Sequence, residues 1–135
     1  MGNKYTIEEI KKMIEHNGYS VIGNIVNMKT KVKCLNSEGY YVMISPTGLK
    51  KRGDTPNIVS MHNPFSIDNI NIWINKNKLT CKLISNTFNN SKDKLEWECE
   101  CGNHYWASWN DVKNDYKQYC NYCAKSKRYD GLVDY

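Results

Sequence analysis

The sequence predicts an α+β protein built from two small related units, each with one helix followed by a β-hairpin. A helix-start pattern at residues 5–10 occurs again sixty residues later, at residues 65–70. Downstream of both, the helical spacing of apolar residues changes to the alternation that is typical of strands. The length of 135 residues suits one ordinary domain or two small ones.

Each predicted helix begins at a hydroxyl residue, Thr6 in the first copy and Ser66 in the second. Such a residue favours the N-cap because its side chain accepts a free N–H of the first turn. Glu9 completes a capping box in the first copy, and Asn69 stands at that position in the second. Gly18 would end the first helix, because glycine is favoured just beyond a helix C-terminus.

Strand patterns follow each helix in the same order. The predicted strands are 19–22, 29–35 and 40–45 in the first copy, and 81–84, 94–99 and 104–109 in the second, where the hairpin offset is 63. This repeated order favours an internal duplication. We expect a metal-free unit at 1–45 and a second unit at 65–135. Residues 46–64 would be a linker, because they hold all three prolines.

Four of the six cysteines form two close pairs, Cys99 with Cys101 and Cys120 with Cys123. Thiol pairs at this spacing are a strong signal for a tetrahedral Zn²⁺ site, in which a tight turn presents each pair. Four protein ligands leave no open coordination position, so the zinc would be structural. One alternative stays open: the first pair is short, and Cys101 with His104 could bind the metal in place of Cys99.

The two other cysteines, Cys34 and Cys81, stand apart from any second thiol. We expect both to be core residues, since a free cysteine packs as a small apolar group. The sequence shows no signal peptide and no apolar run of membrane-spanning length. The expected location is therefore the cytoplasm, where thiols stay reduced.

The segment 95–123 resembles a treble-clef or zinc-ribbon module. The motifs that carry the resemblance are Cys99-Glu100-Cys101-Gly102, His104-Tyr105-Trp106, Ser108-Trp109-Asn110 and Cys120-Asn121-Tyr122-Cys123. They are similar to a zinc-ribbon repeat family of phage and bacterial proteins, often associated with homing-type endonucleases. The resemblance implies a treble-clef-like zinc module in the second unit, accessory DNA binding, and a phage or mobile-element origin. The first copy lacks the family's cysteines.

No set of residues in the sequence predicts catalysis. The three histidines, His16, His62 and His104, lie in different local contexts, and no glycine-rich phosphate loop occurs. We expect no enzyme activity and no small-molecule substrate.

The formal net charge of +5 favours an acidic partner. Residues 1–64 hold nine Lys and Arg against five Asp and Glu, whereas residues 65–135 hold ten against nine. The candidate nucleic-acid-binding cations are Lys29, Lys31 and Lys33 on one predicted strand face, Lys50, Lys51 and Arg52 in the linker, and Lys125, Lys127 and Arg128 near the C-terminus. Such clusters can neutralise phosphates. A solvated basic surface would give the same pattern.

An alternative function is inhibition of a host defence nuclease, in the manner of an anti-CRISPR protein. This interpretation rests on size and origin rather than on a motif. The expected partner is therefore nucleic acid or a host nucleic-acid-processing protein, and not a membrane. Salt dependence separates the two, because phosphate binding weakens steeply as salt rises.

Overall fold

The computed structural model describes residues 5–53 and 55–124. The chain divides into two compact units, Met1–Asn69 and Ile70–Tyr135. The fold is α+β, with two small antiparallel sheets of three strands each. The division falls inside a helix, α3, that comprises Ser66–Lys76.

The first unit has two helices and three strands before α3. In chain order they are α1 (Ile7–His16), β1 (Ser20–Val21), β2 (Val32–Leu35), β3 (Tyr41–Ile44) and α2 (Pro46–Arg52). The strand order is β1-β2-β3, and all pairs are antiparallel. A buried core forms between the helices and the inner face of this sheet; its members are Ile10, Ile14, Ile25, Val32, Cys34, Val42, Ile44 and Leu49.

The predicted start of α1 is confirmed. The hydroxyl of Thr6 accepts the N–H of Glu9, and the Glu9 carboxylate accepts the N–H of Thr6. Ile10 and Ile14 are buried four residues apart, which places both on one face of the helix. The helix ends at His16, with Asn17 as its C-cap, as the following glycine predicted.

Residues 46–64, the expected linker, begin with a helix. Ser45 caps α2, Pro46 occupies the first turn, and Leu49 packs in the core of the first unit. Gly53 ends the helix with a φ of 63°, a left-handed conformation that suits glycine. The basic residues of this segment therefore occupy the last turn of a helix, where positive charge is favourable.

The second unit continues from α3 with the same order of elements. They are β4 (Lys82–Leu83), β5 (Lys94–Glu98), β6 (His104–Ser108) and α4 (Trp109–Asp115). The strand order is β4-β5-β6, again antiparallel. The largest fully buried side chain is Trp97, whose Nε1–H donates to the carbonyl of Ala107 across the hairpin at 2.9 Å.

The two hairpins have equivalent registers at the expected offset of 63. Cys34 faces Val42 in the first sheet, and Trp97 faces Tyr105 in the second. Ser108 caps α4 as Ser45 caps α2. The two units are thus built on one plan, with different residues in equivalent places.

Two local predictions need correction. Strand β2 begins at Val32, so Lys29 and Lys31 do not share a strand face with Lys33. The reason is a turn in which the Asn27 side chain accepts the N–H groups of residues 29 and 30, both at 2.8 Å. Ser66 is the first residue of α3 rather than its N-cap, and its hydroxyl bonds to the loop that precedes the helix, as described below.

None of the helices in the described part of the chain has the length and apolar character needed to cross a membrane.

Candidate metal centre

The first pair of cysteines lies in the turn between β5 and β6. The N–H of Cys99 donates to the carbonyl of Asn103 at 2.8 Å, and the N–H of Gly102 donates to the carbonyl of Cys99 at 2.9 Å. Gly102 has a φ of 91°, in a region that residues with a side chain rarely adopt. This tight turn places Cys99 and Cys101 on one side of the hairpin end.

The second pair follows α4. Tyr116 ends that helix in the left-handed conformation, with a φ of 52°. The Tyr105 hydroxyl then donates to the carbonyl of Lys117 at 2.8 Å, and burial raises the pKa of Tyr105, which keeps the hydroxyl a donor. The side chain of Gln118 accepts the N–H of Thr80 at 2.9 Å. These bonds hold the segment that leads to Cys120.

The four predicted cysteines come together. The sulfur atoms of Cys99, Cys101, Cys120 and Cys123 all lie within 4.8 Å of one another, and those of Cys101 and Cys120 are 3.7 Å apart. Cys99 and Cys120 are buried, whereas Cys101 is exposed. The four thiols could hold a metal ion.

Hydrogen bonds favour the thiolate form of one of these sulfurs. The N–H of Cys123 donates to the sulfur of Cys120 at 3.4 Å, and this bond is the main cause that lowers the pKa of Cys120 to about 6. The Asn103 amide donates to the same sulfur at 3.8 Å. The pKa of Cys123 is raised, chiefly by its hydrogen bond with Cys101 and by burial. Without a cation, the negative charge of one thiolate makes it harder for its neighbours to ionise. A bound cation would stabilise all four thiolates at once.

The alternative ligand His104 lies elsewhere. It stands on β6, and its Nδ1 is 2.6 Å from a carboxylate oxygen of Glu96 on the neighbouring strand. It is not a member of the cysteine group. Cys34 and Cys81 are buried in the first and second unit respectively, as predicted. The geometry therefore favours the four-cysteine set.

In the first unit, the equivalent turn is closed without sulfur. Asn36 occupies the position of Cys99, and its N–H donates to the carbonyl of Tyr40. Its side-chain oxygen accepts the N–H of Glu38 at 2.9 Å and the N–H of Tyr40 at 3.0 Å. An amide oxygen thus accepts the backbone N–H groups inside this turn. Gly39 has a φ of 88°, close to that of its counterpart in the second unit.

In the first unit, Asn57 and Ser60 stand 63 residues before Cys120 and Cys123. Side-chain amides hold the loop that contains them. Asn69, fully buried on α3, accepts the N–H of Tyr41 at 2.8 Å and donates to the carbonyl of Tyr41 at 2.8 Å. The same amide donates to the carbonyl of Ile58 at 2.6 Å. The Asn63 amide lies within 3.2 Å of the carbonyls of Tyr41 and Ile58. Hydrogen bonds from two side-chain amides therefore join strand β3 to this loop in the first unit.

Ser66 adds further hydrogen bonds to the same loop of the first unit. Its hydroxyl accepts the N–H of Ser60 at 2.9 Å and lies 2.8 Å from the carbonyl of the same residue. Sequence reasoning missed these contacts. The available signal was the replacement of the capping-box glutamate by Asn69, which frees that side chain from its own helix start.

Two of the predicted nucleic-acid-binding cations lie against aromatic rings. The ammonium of Lys33 lies over the rings of Tyr41 and Phe65, 4.6 and 4.5 Å from their centres. Lys50 lies 4.1 Å from the centre of the Tyr5 ring. The other residues of this set in the first unit are exposed: Lys29, Lys31, Lys51 and Arg52. Lys125, Lys127 and Arg128 lie outside the described residues.

Comparisons of the chain with protein-family models, curated proteins and solved structures found no match.

Proposed function

We propose that this chain is a non-catalytic zinc-binding protein that binds nucleic acid, DNA in preference to RNA. The observation that carries the zinc proposal is the arrangement of the four sulfurs. In a tetrahedral site with Zn–S bonds of about 2.3 Å, the sulfurs lie about 3.8 Å apart. The separation of 3.7 Å between the sulfurs of Cys101 and Cys120 agrees with this value. All-sulfur tetrahedral sets are typical of zinc.

A structural role fits the number of ligands. Four protein thiolates would fill the coordination sphere of zinc and leave no position for a water or a substrate. Of the histidines, His104 is paired with Glu96 rather than with a nucleophile. The ion would instead join the β5–β6 turn to the segment after α4, in addition to the hydrogen bonds that already hold this segment.

The nucleic-acid proposal rests on charge and on the resemblance to zinc-ribbon repeats. The excess of positive charge lies in residues 1–64, with nine Lys and Arg against five Asp and Glu. Exposed lysines at positions 29, 31 and 51 could neutralise phosphates without reading sequence. The proposed phage or mobile-element origin rests on sequence motifs alone. We propose a cytoplasmic location because free thiols persist in that compartment.

Zinc is tested by elemental analysis of the protein purified under reducing conditions. We expect one zinc per chain, removable by a chelator and restored by added Zn²⁺. A reduced, folded protein that contains no zinc and gains none on titration would refute the metal proposal.

Nucleic-acid binding is tested with fluorescently labelled DNA over a series of salt concentrations. We expect affinity to fall steeply with salt, and the double substitution Lys29→Ala with Lys31→Ala to reduce that slope by about 1.5. Lys11→Ala with Lys12→Ala on α1 removes the same charge and serves as the control. If the wild-type protein binds neither DNA nor RNA at low salt, the proposal fails, and inhibition of a host nuclease becomes the function to test.

A further inference from the structure

The two units have cavities in equivalent places. In the first unit, a cavity of about 370 Å³ lies between β3 and the loop after α2, with Met43 and Asn57 in its lining. In the second unit, a cavity of about 560 Å³ lies between β6 and the segment after α4, with Trp106 and Cys120 in its lining. Met43 and Trp106 occupy the same register position of their hairpins. A recess at this place is therefore a property of the shared plan.

The second cavity has an aromatic platform with polar edges. Trp106 and Tyr122 are 59% and 78% exposed, although large aromatic side chains are usually buried. Both line the cavity, together with the amides of Asn103 and Asn121 and with Lys117. Flat apolar faces, amides and one cation match the three parts of a nucleotide: base face, base edge and phosphate.

The first cavity has basic and hydrogen-bonding groups at its edge, but its described lining contains no Phe, Tyr or Trp. Met43 takes the place of the indole, and Lys31 and His62 supply basic groups at the edge. Asn57 and Ser60 supply hydrogen-bonding groups. Among the described residues, no carboxylate lines either cavity. Glu96 lies next to Trp106 across the hairpin, and its charge is directed at His104.

We propose that these cavities bind nucleotides of a single-stranded nucleic acid, and that a base stacks on Trp106 in the second unit. This inference rests on the proposed nucleic-acid function and narrows it to unpaired strands. A base can lie flat on an exposed indole only when it is free of its own stack. Base pairing and stacking in a duplex hide these faces, so the duplex would bind through its phosphates alone.

The test measures binding of the zinc-loaded full chain to a labelled 12-residue oligothymidylate and to a labelled duplex of equal length. Trp106→Ala should weaken single-strand binding about tenfold or more, since stacking on an aromatic side chain contributes strongly per base. Trp106→Phe should restore most of it. Ile84→Ala is the matched control, because Ile84 is an exposed apolar residue next to the same hairpin and outside the cavity lining. Duplex binding should change little in all three variants.

Charge at the cavity edge gives a second readout. Lys117→Ala should lower the salt slope of single-strand binding by about 0.7, the value for one phosphate contact. Lys113→Ala, an exposed lysine on α4 that does not line the cavity, should leave the slope unchanged. Unchanged zinc content in the Trp106 and Lys117 variants would show that the cysteine site beside the cavity is intact.

The outcomes separate this inference from the proposed function. If nucleic acid binds, but Trp106→Ala behaves like Ile84→Ala, the cavity assignment is overturned while the nucleic-acid function stands. Equal affinity for duplex and single strand, with Trp106→Ala unchanged, leads to the same conclusion. If neither oligonucleotide binds at low salt, the proposed function fails and the inference fails with it. If the chain shows no nucleic-acid affinity but binds a defined host protein, and Trp106→Ala abolishes that binding, the platform belongs to a protein interface.

Discussion

Replacement of Asn69 by alanine tests whether side-chain amides close the first unit. Strand β3 lies at the edge of its sheet, so the outward N–H and carbonyl of Tyr41 lack a neighbouring strand. The Asn69 amide bonds to both groups and to the carbonyl of Ile58. It thereby caps a strand edge and holds a loop at the same time. Asn69→Ala removes all three bonds.

The expected loss of stability follows from the backbone groups that lose a hydrogen bond in Asn69→Ala. The N–H of Tyr41 loses its partner, at about 1–3 kcal/mol, while the two carbonyls keep a hydrogen bond from the Asn63 amide. Their weaker bonding and the lost packing of a fully buried side chain add about 1 kcal/mol. The better helix propensity of alanine returns about 0.5 kcal/mol. We expect the free energy of unfolding of the first unit to fall by about 1.5–3.5 kcal/mol.

The assay is urea unfolding of zinc-loaded protein, followed by pulse alkylation of Cys34 and mass spectrometry. Cys34 is fully buried in the core of the first unit, so its alkylation reports the unfolding of that unit. Asn71→Ala is the control, because Asn71 is an exposed asparagine on the same helix with the same gain in propensity. A difference below about 0.5 kcal/mol between the two variants would refute the closure by amides.

Three further predictions concern the metal and its turn. Cys120→Ser should abolish zinc binding at stoichiometric metal, because a hydroxyl is a poor zinc ligand. Elemental analysis measures this, and the control Cys34→Ala should retain zinc. Equal zinc content in both variants would contradict the assigned set of ligands. Chelation should expose five thiols to alkylation, the four proposed ligands and Cys81, by loosening the second unit. Cys34 should stay protected, because it is fully buried in the first unit, to which none of the proposed ligands belongs. Simultaneous loss of Cys34 protection would show that the units unfold together. Gly102→Ala should weaken zinc affinity and lower the stability of the second unit by about 1–2 kcal/mol, because the φ of 91° strains any residue with a side chain. Gly39→Ala, at a φ of 88°, should destabilise the first unit without changing zinc affinity.

Local sequence signals were reliable where the interacting residues are close in the chain. The capping box of Thr6 and Glu9 spans three residues, and the structure confirms both of its hydrogen bonds. The sequence also identified the four thiols that converge, although only the members of each pair are close in the chain and the two pairs meet across 19 residues. The hairpin offset of 63 is also confirmed by the strand registers.

Helix α2 was missed although its start carries a local signal. Ser45 followed by Pro46 is a good helix start, but the prolines and glycines downstream are typical of a linker. The helix has only seven residues, too short to be stable alone in water. Burial of Leu49 in the core stabilises it, and this contact depends on residues far away in the sequence.

The sequence by itself therefore determined the α+β class, the repeated order of helix and hairpin, and the thiols that could share an ion. Only the tertiary structure decided how the first unit closes without metal, and where each unit leaves a recess beside its third strand. The bonds from Asn69 to Tyr41 join residues 28 positions apart. A lone asparagine in a sequence usually indicates a surface position, and only the unpaired strand edge beside it makes burial of its amide favourable.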